Sequence, residues 1–153
     1  MSQPQPNTEY IKFRIGISGT YWDKKPQYMV WLDDKLIVND YITANSGEVQ
    51  YIEFSEHLIE DQQHQIRIRL NNKDDKDVIQ NAECTEILKD MLLNIVSIQV
   101  DDVDVEGLIY SASKYIPDDP KWPPITECIN LGWTGDYIFT FECPVYLWLL
   151  ENM

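Results

Sequence analysis

Short runs in which apolar and polar residues alternate recur along the chain, and this two-residue period is the strongest constraint on its fold. Residues 11–17 carry apolar side chains at every second position, and residues 64–70 repeat the pattern. Because successive side chains of a β-strand point to opposite faces, the alternation predicts strands with one buried face. Further apolar runs at 29–38 and 49–54 leave polar turns at intervals of about 10–15 residues, a spacing typical of an antiparallel β-sandwich or barrel. We therefore expect an all-β fold.

Residues 83–100 combine a helical pattern with a strand pattern. Ile87 and Met91 stand at helical spacing, whereas the end of the segment alternates and is rich in β-branched residues. Periodicity alone does not separate the two structures in a short apolar run. The favoured interpretation is a short helix or turn near residues 83–91, followed by a strand from Leu92 to Val100, and a longer helix is the alternative.

Two later segments have unusual compositions. Residues 111–127 contain four prolines, which lack the backbone N–H donor, so a long extended loop is expected there. Residues 145–150 are almost wholly apolar and are interpreted as a C-terminal strand that the core or a neighbouring subunit must cover. With 153 residues, the chain fits a single domain over residues 9–153, preceded by a flexible polar arm at residues 1–8.

Composition and charge exclude several classes of protein. Aromatic residues make up 12% of the chain, which is incompatible with a disordered protein. The formal net charge is −14, and residues 77–153 hold −11 of it (3 basic minus 14 acidic residues). No nucleic-acid partner is expected, because phosphate binding relies on lysine and arginine. No apolar run approaches the length of about 18 residues that a membrane span needs, and no signal peptide is visible, so no membrane partner is expected either. The three cysteines lack C-x-x-C spacing and are expected to stay reduced.

Several aromatic residues fall in predicted turns or loops rather than at alternating strand positions: Tyr21, Trp22, Trp122 and Trp133. Aromatic side chains in the loops of a rigid β scaffold are a usual means of stacking on sugars or of contacting another protein. The alternative is that each ring covers one end of the sandwich. Trp31 and Trp148 lie within apolar runs and are expected in the core.

Acidic residues concentrate in two runs, 71–77 and 101–106, and calcium binds oxygen ligands of this kind. On a strand, Asp102, Asp104 and Glu106 would share one face. A solvated acidic edge strand explains the same run without a metal. No local signature surrounds any cysteine or histidine, so no catalytic residue is nominated and an enzyme is not expected.

Residues 64–103 and the segment LDDKLI at 32–37 resemble the C-terminal half and the early hairpin of small calcium-dependent xylan-binding modules. The resemblance implies a jelly-roll β-sandwich that binds sugar hydroxyls through a calcium ion held by loops. Asn72 matches the loop asparagine of that family and Asp90 begins its second segment, whereas Lys73 stands where the family has an aspartate. This resemblance and the acidic run together give four candidate calcium ligands: Asn72, Asp90, Asp102 and Asp104.

Other segments are similar to uncharacterised small proteins of tailed phages, notably those that infect cyanobacteria: ISGTYWDKKP (17–26), KDMLLNI (89–95), INLGWTGDYIFTF (129–141) and PVYLWLLEN (144–152). This resemblance implies a non-enzymatic structural or accessory protein of the virion, assembled in the host cytoplasm, which decorates the capsid or attaches to the tail. Its partners would be other virion proteins, either in a homo-oligomer or on a larger particle. The interface candidates are the apolar residues near the C-terminus: Tyr146, Leu147, Trp148, Leu149 and Leu150. The alternative function is a carbohydrate-binding module that recognises a host surface glycan, with calcium as its cofactor.

Overall fold

Two antiparallel sheets packed together form the body of the protein in the computed structural model, which describes residues 7–153. In chain order the strands are β1 (Thr8–Thr20), β2 (Gln27–Leu32), β3 (Lys35–Tyr41), β4 (Val49–Ile59), β5 (Gln62–Leu70), β6 (Ile79–Gln80), β7 (Ile87–Lys89), β8 (Leu92–Val100), β9 (Val103–Asp104), β10 (Ser113–Pro117), β11 (Ile125–Thr126), β12 (Asn130–Leu131) and β13 (Gly135–Cys143). Two α-helices, α1 (Leu108–Ser111) and α2 (Val145–Asn152), and a 3-10 turn at Asp75–Asp77 are the other elements. The prediction of a mostly β protein with two packed antiparallel sheets is confirmed.

Strand β1 lies inside the first sheet, whose order is β12–β8–β1–β4, with β9 paired to β8. It pairs with β4 from Thr8 to Ser18 without a register shift. On its other side it pairs with β8, with a bulge between Gly16 and Ile17. The second sheet has the order β11–β10–β13–β5–β2–β3, so β13 and β5 are its central strands.

The alternating runs supply the core between the sheets. The fully buried side chains of β1 and β13 include Ile11, Phe13, Ile15, Ile17, Tyr137, Phe139 and Phe141. Phe13 and Phe141 meet across the two sheets with ring centroids 5.9 Å apart. Burial of a side chain of this size contributes roughly 1.5–3 kcal/mol. The apolar side chains that alternate in the sequence are therefore the ones that stabilise the packing of the two sheets.

The segment before β8 is a turn and a short strand rather than a helix. Strand β8 covers Leu92–Val100, as predicted, but within residues 83–91 the chain turns and then forms β7, which pairs with β6. The side chain of Asn81 accepts hydrogen bonds from the backbone N–H groups of Thr85 (2.9 Å) and Glu86 (3.2 Å). Asparagine competes in this way for the donors that a helix needs, so local contacts favour the turn.

Residues 111–127 do not form the single extended loop that was expected. Strand β10 lies within this range and pairs with β13 on one side and β11 on the other. Tyr115 in β10 is fully buried. Pro117 is the last residue of the strand, where its missing N–H disrupts the sheet least. The other three prolines of the segment lie beyond the end of β10. The high proline content of the whole segment therefore hides a strand that itself contains only one proline.

The apolar run at the C-terminus is a helix, not the expected strand, and α2 spans Val145–Asn152. An unbroken apolar run has no period, so its sequence does not distinguish a buried strand from a buried helix. The helix packs on β13, where the ring of Trp148 meets Phe139 edge-on at a centroid distance of 5.8 Å. The carboxylate of Glu9 accepts a hydrogen bond from the N–H of Val145 (3.2 Å), which satisfies one of the unpaired donors at the start of the helix.

The acidic residues 101–106 form turns rather than one face of a strand. Only Val103 and Asp104 belong to β9. The φ angles of Asp101, Asp102 and Glu106 are 47°, 67° and 51°, which lie in the left-handed region. The expectation that Asp102, Asp104 and Glu106 share a strand face is therefore wrong.

The predicted flexible arm at residues 1–8 falls mainly outside the described residues, and β1 begins at Thr8. All three cysteines are free thiols. In the part of the chain from Asn7 onward, no helix is both long enough and apolar enough to span a bilayer.

Candidate functional site

The candidate residues lie at two opposite ends of the sandwich. Strand β13 has nine residues and runs between these ends over about 30 Å, at 3.3–3.4 Å per residue. Trp133 comes just before β13, and α2 comes directly after it. We call the end with Trp22, Trp122 and Trp133 the aromatic end. The other end, formed by α2 and the turn between β4 and β5, is called the helical end.

Trp122 and Trp133 stand together beside a cleft of about 390 Å³ at the aromatic end. Their ring centroids are 5.4 Å apart, with 32° between the ring planes, and both rings are exposed. Four aspartates also line this cleft: Asp74, Asp75, Asp118 and Asp119. Aromatic rings beside hydrogen-bonding side chains suit a ligand that has an apolar face and polar edges.

Tyr115 fixes the position of Trp133. Its hydroxyl accepts a hydrogen bond from the backbone N–H of Trp133 (2.8 Å) and donates one to the carbonyl of the same residue. The two rings stack at a centroid distance of 6.3 Å. Burial raises the pKa of Tyr115 well above its usual value, so the hydroxyl keeps the proton that it donates. The backbone that carries Trp133 is thus held from the core.

Polar contacts between loops hold the rest of the cleft. The hydroxyl of Thr134 accepts a hydrogen bond from the N–H of Lys73 (3.0 Å) and donates one to its carbonyl (2.9 Å). The guanidinium of Arg69 binds the carboxylate of Asp118 through both terminal nitrogens and contacts Asp136 at 3.3 Å. The hydrogen bond from Arg69 holds the pKa of Asp118 below its usual value. These contacts preorganise the cleft before any ligand arrives.

The other two aromatic candidates have different surroundings. Trp22 donates a hydrogen bond from its indole nitrogen to the carbonyl of Asp77 (3.0 Å), and the ammonium of Lys89 lies 5.0 Å from its ring centroid. Tyr21 donates from its hydroxyl to the carbonyl of Ala44 (2.9 Å) and packs against the core. Neither residue lines the cleft, so the structure brings together only Trp122 and Trp133 of the four.

The four candidate calcium ligands do not form one site. Asp90 precedes the nine-residue strand β8 and Asp102 follows it, so they lie about 30 Å apart. Asp102 pairs with Lys12 at 3.0 Å, and Asp104 accepts a hydrogen bond from the N–H of Glu106 (2.7 Å). Among the described residues, no group of three or more histidine, cysteine, aspartate or glutamate side chains is placed to hold a metal ion.

A lysine already supplies a positive charge beside Asp90. The side chain of Lys73 is 5% exposed, and its ammonium contacts the carboxylate of Asp90 and the carbonyl of Met91. Nearby, the side chain of Asn72 accepts from the N–H of Gln27 (2.8 Å) and donates to the carbonyl of Lys25. These oxygen atoms serve the protein's own donors, so the residues present do not fit a calcium ion.

The interface candidates of the C-terminal run divide between two sides of α2. Tyr146, Leu147 and Leu150 are 52%, 58% and 79% exposed. Trp148 and Leu149 are buried against the second sheet, so these two predicted interface residues belong to the core. We call Tyr146, Leu147, Leu150 and the exposed Met153 the α2 face. In a helix, the period of 3.6 residues places Tyr146, Leu150 and Met153 along one side, but an apolar run does not show in its sequence which side is buried.

The fold constrains the side chains of one histidine and one cysteine, His64 and Cys143. His64 is buried, and its ring nitrogens contact the carboxylate of Asp33 and the carbonyl of Ile59, each at 2.7 Å. Both nitrogens are therefore engaged within the fold. Burial raises the pKa of the Cys143 thiol to about 12, which disfavours the thiolate nucleophile.

Comparisons of the chain with protein-family models, curated proteins and solved structures give no match.

Proposed function

We propose that this protein is a non-enzymatic accessory component of a phage virion, bound to the capsid or the tail through protein–protein contacts. The observation that carries the proposal is the α2 face. Tyr146, Leu147 and Leu150 present adjacent apolar side chains to solvent on a protein whose net charge is −14. Contiguous exposed apolar surface of this kind marks interaction sites.

The α2 face is not needed for the fold itself. Trp148 and Leu149 already bury the inner side of the helix against the core. Burial of a leucine side chain in an interface is worth roughly 1.5–3 kcal/mol, so Leu147 and Leu150 together supply a substantial part of a protein–protein contact. The outer side of α2 is therefore explained better by a partner than by internal packing.

Mass spectrometry of purified virions tests the proposal. We expect to detect the wild-type chain, and we expect the double variant Leu147→Gln/Leu150→Gln to be depleted about tenfold or more, because its contact surface is lost. The matched control is Ile87→Gln/Leu88→Gln in β7, since these residues are similarly exposed but lie at the aromatic end. Absence of the wild-type chain from virions, or equal incorporation of all three chains, would contradict the proposal.

The cleft beside Trp122 and Trp133 favours a second candidate function, a carbohydrate-binding module that recognises a host surface glycan. Under this proposal the sandwich is jelly-roll-like, and a sugar ring stacks on the two indoles while its hydroxyls bond to the aspartates. We expect glycan binding in an array to be lost in Trp122→Ala and retained in Trp22→Ala. Because Lys73 pairs with Asp90, binding should persist when calcium is chelated. An array without any hit removes this candidate.

A further inference from the structure

A groove runs alongside α2 at the helical end and continues from the α2 face. Its volume is about 480 Å³, and Leu147 and Trp148 supply its apolar side. Cys143 and Pro144, which join β13 to the helix, also line it. Since the groove and the α2 face share Leu147, a single partner segment can contact both.

The charged side chains that line this groove are all acidic. Asp61, Glu142 and Glu151 line it, together with two glutamines. Within residues 7–153, none of these three carboxylates takes part in a salt bridge, and no lysine or arginine lines the groove. The acids are thus left to pair with a cation from outside the chain.

Two neighbouring groups, Glu9 and Cys143, lie near further acidic side chains. Desolvation is the main cause that raises the pKa of Glu9, and the charges of Asp101 and Glu60 raise it further. Burial is likewise the main cause that raises the pKa of Cys143, and the charges of Glu9, Asp33 and Glu60 add to it. The helical end therefore combines an apolar helix face with a concentration of negative charge.

We infer that the groove beside α2 and the α2 face together bind a cationic amphipathic segment of a partner protein. This inference rests on the proposed function and names the partner's chemistry. Leucine-like side chains of the segment pack on Leu147 and Leu150, while its lysine or arginine side chains meet Asp61, Glu142 and Glu151. Complementary charge of this kind steers association and selects the partner. A second copy of this acidic chain, or an anionic lipid surface, would be repelled by the same rim.

Calorimetry with a synthetic amphipathic helix of leucine and lysine tests the inference. The variant Asp61→Asn/Glu142→Gln/Glu151→Gln removes the three rim charges, and asparagine is chosen at residue 61 because the φ of Asp61 is 61°. The control Glu48→Gln/Glu83→Gln/Glu86→Gln removes three exposed charges elsewhere, so both variants have the same net charge.

We expect the peptide to bind the wild type and the control with similar affinity, and to bind the rim variant about tenfold more weakly. The same peptide with glutamate in place of lysine should not bind. The inference would be overturned if the lysine peptide did not bind, or if both variants weakened its binding equally. It would also be overturned by binding of the protein to phosphatidylserine vesicles, or by a dimer that Leu147→Gln/Leu150→Gln disrupts. Virions that exclude the leucine variant but incorporate the rim variant normally would also overturn it, while leaving the proposed function intact.

Discussion

The hydroxyl of Tyr115 makes two of the contacts that define the aromatic end. It lies in the core on β10 and bonds to both the N–H and the carbonyl of Trp133. One buried side chain thus fixes the backbone of an exposed one. A core side chain therefore holds the backbone of a residue that lines the cleft.

Replacement of Tyr115 by phenylalanine tests this role. Tyr115→Phe removes two partly buried hydrogen bonds to the backbone of Trp133, and at roughly 0.5–1.5 kcal/mol for each bond the loss is about 1–3 kcal/mol. We expect the free energy of unfolding in urea to fall by that amount. The exposed Tyr110→Phe is the control and should change it by less than about 0.5 kcal/mol. Equal effects of the two substitutions would show that the hydroxyl of Tyr115 has no such role.

The pair between Arg69 and Asp118 predicts a pH dependence with a definite sign. The hydrogen bond from Arg69 lowers the pKa of Asp118 from its ordinary value of 3.8 in the folded state. Its stabilisation is therefore fully present above the ordinary pKa and is lost as pH falls through the lower folded value. Because the side chain of Asp118 is 47% exposed, we expect it to be worth less than about 1 kcal/mol.

Urea unfolding of Asp118→Asn at several pH values checks that prediction. The variant should be less stable than the wild type at neutral pH, and the difference should vanish in strong acid. The exposed Asp23→Asn should match the wild type throughout. A difference between Asp118→Asn and the wild type that stays constant across the pH range would contradict the predicted sign.

Among the elements, α2 has the clearest division between a structural side and a surface side. Trp148→Ala removes a ring that packs on Phe139 and Phe141, and truncation of a buried tryptophan costs about 3–5 kcal/mol. Leu150→Ala should change the free energy of unfolding by less than about 0.5 kcal/mol, because the side chain is 79% exposed. Thermal or urea unfolding measures both. Comparable losses in the two variants would contradict the orientation of the helix.

The strands that the sequence predicted are those in which a single face is buried. The period was sufficient in β5 from His64 to Leu70 and in β1 from Ile11 to Ile15, where the alternation of burial follows the alternation of residue type. It failed for α2, where the apolar run has no polar position to mark a face, and for β10, where nearby prolines obscured five residues of strand. Local patterns do not record which distant segment a strand will pair with.

The candidate sites were predictable only in part for the same reason. Trp122 and Trp133 were identified as loop aromatics, but their proximity depends on the pairing of β10 with β13, which a local pattern does not reveal. The candidate calcium ligands were chosen by residue type and by short matching motifs, neither of which gives their positions in space. The structure separates Asp90 from Asp102 by the length of β8 and places the ammonium of Lys73 against Asp90. The positions of these residues in the fold, and not their chemical types, decide that they do not form one calcium site.

In the molecule as a whole, the two surfaces lie at opposite ends of β13. The α2 face and the aromatic cleft are separated by the length of β13, about 30 Å. Contact of α2 with a particle would therefore leave Trp122 and Trp133 accessible at the far end. The sandwich connects them directly, since β13 is a central strand of the second sheet and α2 follows it after Pro144.

Photo-crosslinking in intact virions most directly tests whether the protein makes its contact through α2. A photoreactive amino acid is placed at residue 150 in one chain and at residue 88 in another, and both native side chains are exposed leucines. We expect the chain labelled at 150 to form a covalent adduct with another virion protein and the chain labelled at 88 to form none with that protein. No adduct at 150, or the same adduct from both positions, would contradict contact through α2.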